Sequence, residues 1–232
     1  MVTSTQPVGH LSTLESLKSS PHFAGLENSV LERIGRFMVE RRIAKHEVIW
    51  LEQSTASRVY FVASGLINLF KMSTEGKEQI IRLARPGDSF GHNGILNGGC
   101  NPESAQALVT SVLCGITKSD FQSLLLESKQ FTYNTIRALA TEMHHYLSLV
   151  EDLSLRGVNC RLARMLMEYN TDGVFDESLT LTRGDMAAMT GTVREVLGKS
   201  LKALEEKGVI ISNRRQIVIR DGDALKMMAS SF

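Results

Sequence analysis

Apolar residues recur along this chain with two different periods, and the change from one to the other divides it. Between Glu47 and about Thr117 the apolar runs are short and β-rich: Val48-Ile49-Trp50, Val59-Tyr60-Phe61-Val62, Leu66-Ile67-Asn68-Leu69-Phe70 and Gln79-Ile80-Ile81-Arg82-Leu83. Ser64-Gly65, Glu75-Gly76 and Pro86-Gly87-Asp88 separate them, so strands recur about every ten residues, the spacing of a β-barrel or jelly roll. Ahead of this region, Leu11 to Ile43 combines capping chemistry at Ser29 with helical spacing at Val30, Leu31, Ile34 and Phe37, which predicts short packing helices.

After Ser119 the turn signals stop and the period becomes helical. Ile136, Leu139, Met143, Tyr146, Val150 and Leu153 alternate spacings of three and four, a heptad seam. A lone helix cannot bury such a seam. The economical partner is the same helix from a second copy, giving a two-fold dimer; the alternative is that the stripe packs against its own β-domain. Arg156-Gly157 breaks the pattern and marks the hinge to the next domain.

The last third opens with a helix over Asn159 to Tyr169, followed by a polar, turn-rich stretch from Thr171 to Ser178. In the segment LTRGDMAAMTGTVREVLGKSLKALEEKGVI, Thr182 caps a helix that turns Met186, Ala187 and Met189 inward. Gly191 supplies the positive backbone angle of a tight turn. A second helix, Thr192 to Leu204, is expected to bury Val193, Val196, Leu197, Leu201 and Leu204, which makes a helix-turn-helix. Gly208 ends it, and Val209-Ile210-Ile211 and Gln216-Ile217-Val218-Ile219 flank Asn213-Arg214-Arg215 as a two-stranded wing with a basic tip.

Composition sharpens this reading. The 232 residues suit two domains of ordinary size, and 43% hydrophobic with 22% charged residues describes an ordinary globular chain. From Leu181 to Arg220 there are eight basic against four acidic residues, a local +4 on a chain whose total is +1. A positive field confined to the predicted helix-turn-helix is what phosphate attraction requires. The start MVTSTQPVGHLSTLESL has no basic leader or apolar signal core, and no stretch has the length of a membrane span; the expected location is cytoplasmic, with no membrane partner. Cys100, Cys114 and Cys160 match neither a disulfide framework nor a metal knuckle. His46 and His92 stand alone in the β-region, without the H-x-H pair of a cupin-type metalloenzyme, so neither a metal site nor an enzyme is expected.

On the second helix Arg194, Glu195 and Lys199 project opposite the apolar stripe, near the end that enters a major groove. Arginine can bond guanine O6 and N7 together, glutamate can accept from cytosine N4, and lysine can reach guanine or a phosphate. An acid amid basic residues repels phosphates, so Glu195 suits base reading. Thr182, Arg183, Thr192 and the Arg214-Arg215 tip are candidates for phosphate contacts, and Val193 at the helix entry completes the DNA-binding set.

The order of helical lead, β-roll, long helix and winged helix-turn-helix resembles the CRP/FNR family, the relatives of the cyclic-AMP receptor protein, over nearly the whole chain. Arg194-Glu195-Val196-Leu197-Gly198-Lys199 is similar to the R-E-x-x-x-R pattern of that family, with lysine last. The resemblance implies an α+β chain: a cyclic-nucleotide-binding-like β-roll (double-stranded jelly roll) over residues 1–118, a dimerisation helix over 119–156 and a winged helix-turn-helix over 157–232. It implies a homodimer on double-stranded DNA with an inverted repeat, Arg194 reading guanine, Glu195 cytosine on the paired strand and Lys199 a further base, with RNA polymerase as a further partner.

The sensor half departs from the cyclic-AMP pattern. Where that pocket carries F-G-E and R-S-A, this chain has Phe90-Gly91-His92-Asn93-Gly94 and Glu103-Ser104-Ala105. A carboxylate facing a phosphate diester in low dielectric is repulsive by several kcal/mol, on the order of a thousandfold in affinity, so cyclic AMP is not the expected effector. The expectation is an unidentified small molecule between the roll and the long helix, near Gly91, His92, Asn93, Glu103, Ser104, Met143, Tyr146 and Leu147. Three scattered cysteines, none before Cys100, cannot supply a four-thiolate iron-sulfur cluster. Haem stays open, with His92, His144 and His145 as candidate ligands and nitric oxide or carbon monoxide as the signal; an effector-independent repressor is the other alternative.

Overall fold

The computed structural model of the chain describes residues 20–171, 174–175, 181–212 and 217–230; the Leu11 end of the predicted helical lead and the Arg214-Arg215 tip lie outside them. The chain forms two compact units, one holding the residues up to Lys71 with Arg82–His144, the other Met72–Ile81 with the residues from His145 onward.

The first unit begins with a 3-10 turn, Pro21–Phe23, and helix α1, Asn28–Phe37. Eight strands follow: β1 (Val39–Ile43), β2 (Val48–Trp50), β3 (Arg58–Ser64), β4 (Ile67–Met72), β5 (Glu78–Ala84), β6 (Ser89–Phe90), β7 (Ser104–Ala107) and β8 (Ser111–Thr117), with the short helix α2 (His92–Leu96) between β6 and β7. They make two four-stranded sheets, β1-β8-β3-β6 and β2-β7-β4-β5, the double-sheet roll that the spacing of turns predicts. Ile43, Val62, Ile67, Leu69, Phe90, Ala105 and Leu113 belong to its interior cluster, with Trp50 packed against it. Strand β1 was not anticipated: Val39-Glu40-Arg41-Arg42-Ile43 buries Ile43 fully, so its apolar pattern is weak, and its place is fixed by antiparallel pairing with β8, Val39 opposite Gly115 through Ile43 opposite Ser111.

The expected single helix over 119–156 is two helices, α3 (Lys118–Glu127) and α4 (Lys129–Leu155). Ser128 between them is extended, φ −118° and ψ 103°, and its Oγ accepts from Phe131 N at 3.2 Å. Ser128 is therefore a start signal inside what reads as a continuous helix. Helix α4 buries Phe131, Asn134, Thr135 and Glu142, with Phe131 in a second core cluster shared with Phe23, Ile34, Phe61, Ile116, Phe121 and Leu124.

In the second unit, Arg156-Gly157 separates α4 from helix α5 (Val158–Glu168). The joint is held by ions: Arg156 pairs with Glu151 at 2.6 Å and Asp152 at 2.9 Å, and Arg164 with Asp152 at 3.1 Å. Then come strands β9 (Asn170–Thr171) and β10 (Val174–Phe175), helices α6 (Arg183–Met189) and α7 (Arg194–Glu206), strands β11 (Ile210–Ser212) and β12 (Ile217–Ile219), and helix α8 (Gly222–Ser230). The wing is thus part of a four-stranded sheet, β11-β12-β10-β9, where a two-stranded ribbon was expected. Strands of two residues carry too little periodicity to show in a sequence, which is why Thr171 to Ser178 reads as turn alone. Helix α8 also escaped the sequence reading; Cys160 of α5 donates to its Ala229 O at 3.4 Å. Among the described residues, no helix is long and apolar enough to cross a membrane.

Candidate functional site

The two candidate sites lie in different units. In the second, Thr182 accepts from Asp185 N at 3.1 Å while Asp185 accepts from Thr182 N at 2.7 Å, a reciprocal box that starts α6. Met186, Ala187 and Ala188 are buried, with Met189 half-buried. Gly191 has φ +64°, a left-handed angle that favours glycine, and a Cβ there would stand 2.4 Å from Leu153 Cδ2, which would have to give way. The turn is held from below by Arg161, whose Nε donates to Thr190 O at 2.7 Å, and from within by Thr192 N donating to Ala187 O at 2.9 Å.

Helix α7 starts at Arg194 rather than Thr192, with Val193 as its N-cap. It buries Leu197, Ser200, Leu201 and Leu204. Val193 and Val196, expected in the buried stripe, are instead 52% and 37% exposed. The capping position turns Val193 out of the helix, and Val196 falls beside Leu197 at the edge of the buried arc. Both therefore join the outward face, where a methyl group can meet the methyl of thymine. Arg194, Glu195 and Lys199 are exposed on that same face. The Arg194 guanidinium rests over Gly184, whose missing side chain makes room for it. Lys199 Nζ and Glu195 Oε1 form a 2.9 Å pair across one helical turn. With both side chains more than 70% exposed, such a pair is worth ~0.3–0.5 kcal/mol and exchanges readily for base edges. Arg183 donates to Ser212 Oγ of β11 at 3.1 Å, tying the start of α6 to the wing.

In the first unit a buried polar cluster joins the roll to α4. Glu142 accepts from His92 Nε2 at 2.8 Å and Asn93 Nδ2 at 3.2 Å, and pairs with Arg82 Nη2 at 3.4 Å. Arg82 also donates to Ser89 O at 2.7 Å, and Ser89 Oγ bonds His22 Nε2 at 2.7 Å. Burial, together with the nearby His92, lowers the His22 pKa to about 3, so this imidazole is neutral. Gly91, φ +90°, lets the chain pass under Trp50 and Arg58 O, where a Cβ would be 2.9 Å and 2.8 Å away.

Of the predicted effector residues, Gly91, His92, Glu103 and Ser104 are buried and Asn93 is half-buried. Met143 and Leu147 are not on this side: they are 60% and 61% exposed, and Tyr146 is half-buried. The exposed apolar line on α4 runs Tyr133, Ile136, Met143, Leu147 and Val150, whereas Leu139 is half-buried. Of the predicted seam, Ile136, Met143, Val150 and Leu153 are exposed, and Leu139 and Tyr146 are half-buried. Sequence reading missed Arg82 and Glu142. A signal existed for Glu142, a charge spaced three and four residues from Leu139 and Tyr146 on a helix face that is otherwise apolar.

The cysteines are separate thiols: Cys100 exposed, Cys160 buried, and Cys114 with its pKa pushed up to about 12 by burial. Among the described residues, no three His, Cys, Asp or Glu are grouped to hold a metal ion.

Two family models match: a cyclic nucleotide-binding domain over residues 40–128 and a Crp-like helix-turn-helix domain over residues 160–228. The chain is 27% identical over 210 residues to the probable transcriptional regulator flp of Lacticaseibacillus casei, covering 90% of this chain and 95% of that one. It is 25% identical over 213 residues to the cyclic AMP receptor protein of Thermus thermophilus, covering 92% and 98%. The solved structure of FixK2 from Bradyrhizobium japonicum superposes with a TM-score of 0.74 at 24% identity, covering 84% of this chain and 98% of that one.

Proposed function

Because the chain belongs to the CRP/FNR family of transcription regulators, we propose that it is a homodimeric, sequence-specific DNA-binding regulator whose effector binds between the β-roll and α4. The observation that carries this is the outward face of α7: Val193, Arg194, Glu195, Val196 and Lys199 stand exposed on a helix anchored by Leu197, Leu201 and Leu204. Groups able to read base edges are thereby fixed on a rigid element, directly after the turn at Gly191. Thr182, Arg183 and Thr192 surround that face at positions suited to phosphate contacts, which set register without reading sequence.

The exposed apolar line of α4 supports a second copy packing along that helix. Two such lines packed together would bring two α7 helices into successive major grooves, about 34 Å apart. Effector binding shifts the population of chains whose two reading helices match that spacing. RNA polymerase is the partner through which such a regulator would act.

Cyclic AMP, named for the Thermus relative, is disfavoured by the buried acid Glu103 where the nucleotide-binding relatives hold phosphate with arginine. His92 Nε2 is held by Glu142 at 2.8 Å and His145 Nε2 by Ile81 O at 2.9 Å, which speaks against these two as haem ligands and leaves that reading to His144. A visible absorption spectrum of the purified protein decides that point.

Glu195→Ala tests the reading face. It is expected to relax discrimination at one base pair per half-site by ~1–3 kcal/mol, while the dependence of binding on salt stays nearly unchanged. Competition binding against single-position site variants at several salt concentrations measures both. A uniform loss across all sequences would remove Glu195 from the reading set.

A further inference from the structure

Among the residues expected near the effector, one carboxyl is buried in the roll without a side-chain partner among the described residues. Glu103 stands just before β7 and is only 6% exposed. Its backbone is fixed: the carbonyl accepts from Trp50 Nε1 at 2.9 Å, and the neighbouring Ser104 Oγ accepts from Glu52 N at 2.9 Å. Its side chain, among the described residues, has no hydrogen-bond or ion-pair partner. The cationic groups whose fields reach it are engaged elsewhere, Arg82 with Glu142 and Ser89 O, and Lys71 with Glu52 at 2.5 Å.

Two further polar atoms of the same cluster, Arg82 Nε and His92 Nδ1, are buried without a partner in the structure. Buried polar groups are nearly always satisfied, so these two atoms, in the same cluster whose charges act on the Glu103 carboxyl, call for polar partners.

We propose that the effector presents a basic nitrogen, as an amine, amidine or guanidine, to the Glu103 carboxylate. This rests on the reading of the roll as an effector domain and identifies the ligand class that domain takes. Charge decides the class. An acid in this position repels phosphate and attracts a cation, and a charge-assisted bond in a dry site is worth more than a neutral one. Burial and the nearby Glu142 carboxylate raise the Glu103 pKa to about 7, with Arg82 and Lys71 opposing and Glu52 reinforcing the shift. Without ligand the carboxyl is thus half protonated near neutrality; a bound cation would draw it fully to the ionised form, so binding strengthens as pH rises through 7.

The single tryptophan, Trp50, is bonded to the backbone of Glu103 and reports the event directly. The purified full chain is titrated at pH 8 with benzylamine, with its neutral counterpart benzyl alcohol, and with cyclic AMP, following Trp50 emission. The expected result is a saturable change with benzylamine that is at least tenfold weaker with benzyl alcohol and absent with cyclic AMP. Glu103→Gln, which keeps the shape and removes the charge, should weaken benzylamine by roughly ten- to hundredfold and leave benzyl alcohol unchanged. Circular dichroism and the urea midpoint of the variant verify that it is folded. Equal response to amine and alcohol, no saturation with either, or an amine response untouched by Glu103→Gln overturns the proposal. If wild-type protein selects an inverted repeat while the amine response fails, the ligand class alone is wrong; if no sequence is selected, the regulator reading is wrong as well.

Discussion

Replacing Glu142 with alanine is expected to destabilise the first unit by about 3–5 kcal/mol, the cost of leaving a buried charge without its partner. Arg82, 15% exposed at its side chain, would keep only its bond to Ser89 O, and His92 and Asn93 would each lose an acceptor. Denaturant unfolding followed by Trp50 emission measures the loss, and a change below about 1 kcal/mol would show that water substitutes freely for the carboxylate. Glutamine keeps an acceptor for His92 but not the charge opposite Arg82, so Glu142→Gln should fall between alanine and wild type. Glu142 faces the roll, whereas Met143, its neighbour on α4, is 60% exposed on the line assigned to the second copy.

Leu147→Asp is expected to turn the dimer into single chains. Leu147 is 61% exposed in the isolated chain, so aspartate there is tolerated by the monomer fold. In a two-fold pair the substitution occurs twice, and each copy loses the burial of one large apolar side chain, about 1.5–3 kcal/mol, and must also desolvate a carboxylate. A loss of roughly 3–6 kcal/mol per dimer weakens association by about two to four orders of magnitude. Sedimentation across a concentration series separates the outcomes. A wild-type chain that stays single at micromolar concentration, or a variant that dimerises like wild type, would move the interface off this line. Leu139→Glu, at a half-buried position, should instead damage the fold of the chain.

Much of this architecture is written in the sequence because period and punctuation agree. The roll is legible from β-rich runs separated by Gly and Pro turns, and the helix-turn-helix from Thr182, Gly191 and the leucines of α7. The parts that are not legible share a physical cause: their placement is decided by partners distant in sequence. Strand β1 is polar and held by β8, and β9 and β10 are two residues each, held in part by β12. On α4 two apolar faces lie side by side, and a heptad drawn through Leu139 and Tyr146 fits the spacing as well as the exposed line through Leu147. In the roll, His92, Asn93, Glu103 and Ser104 are singled out by their departure from a nucleotide-binding pattern. Arg82 and Glu142 were not, because fifty and more residues separate each from a group it bonds or faces, and no local period announces an ion pair.

Selection of duplexes from a random pool by the purified full chain, with cell extract supplying the effector, measures most directly whether two α7 helices read DNA together. The predicted result is enrichment of an inverted repeat whose half-site centres lie about 10–11 base pairs apart, with recovery falling steeply as salt is raised. A pool that leaves unenriched, or one enriched in a single unrepeated half-site, would contradict the account.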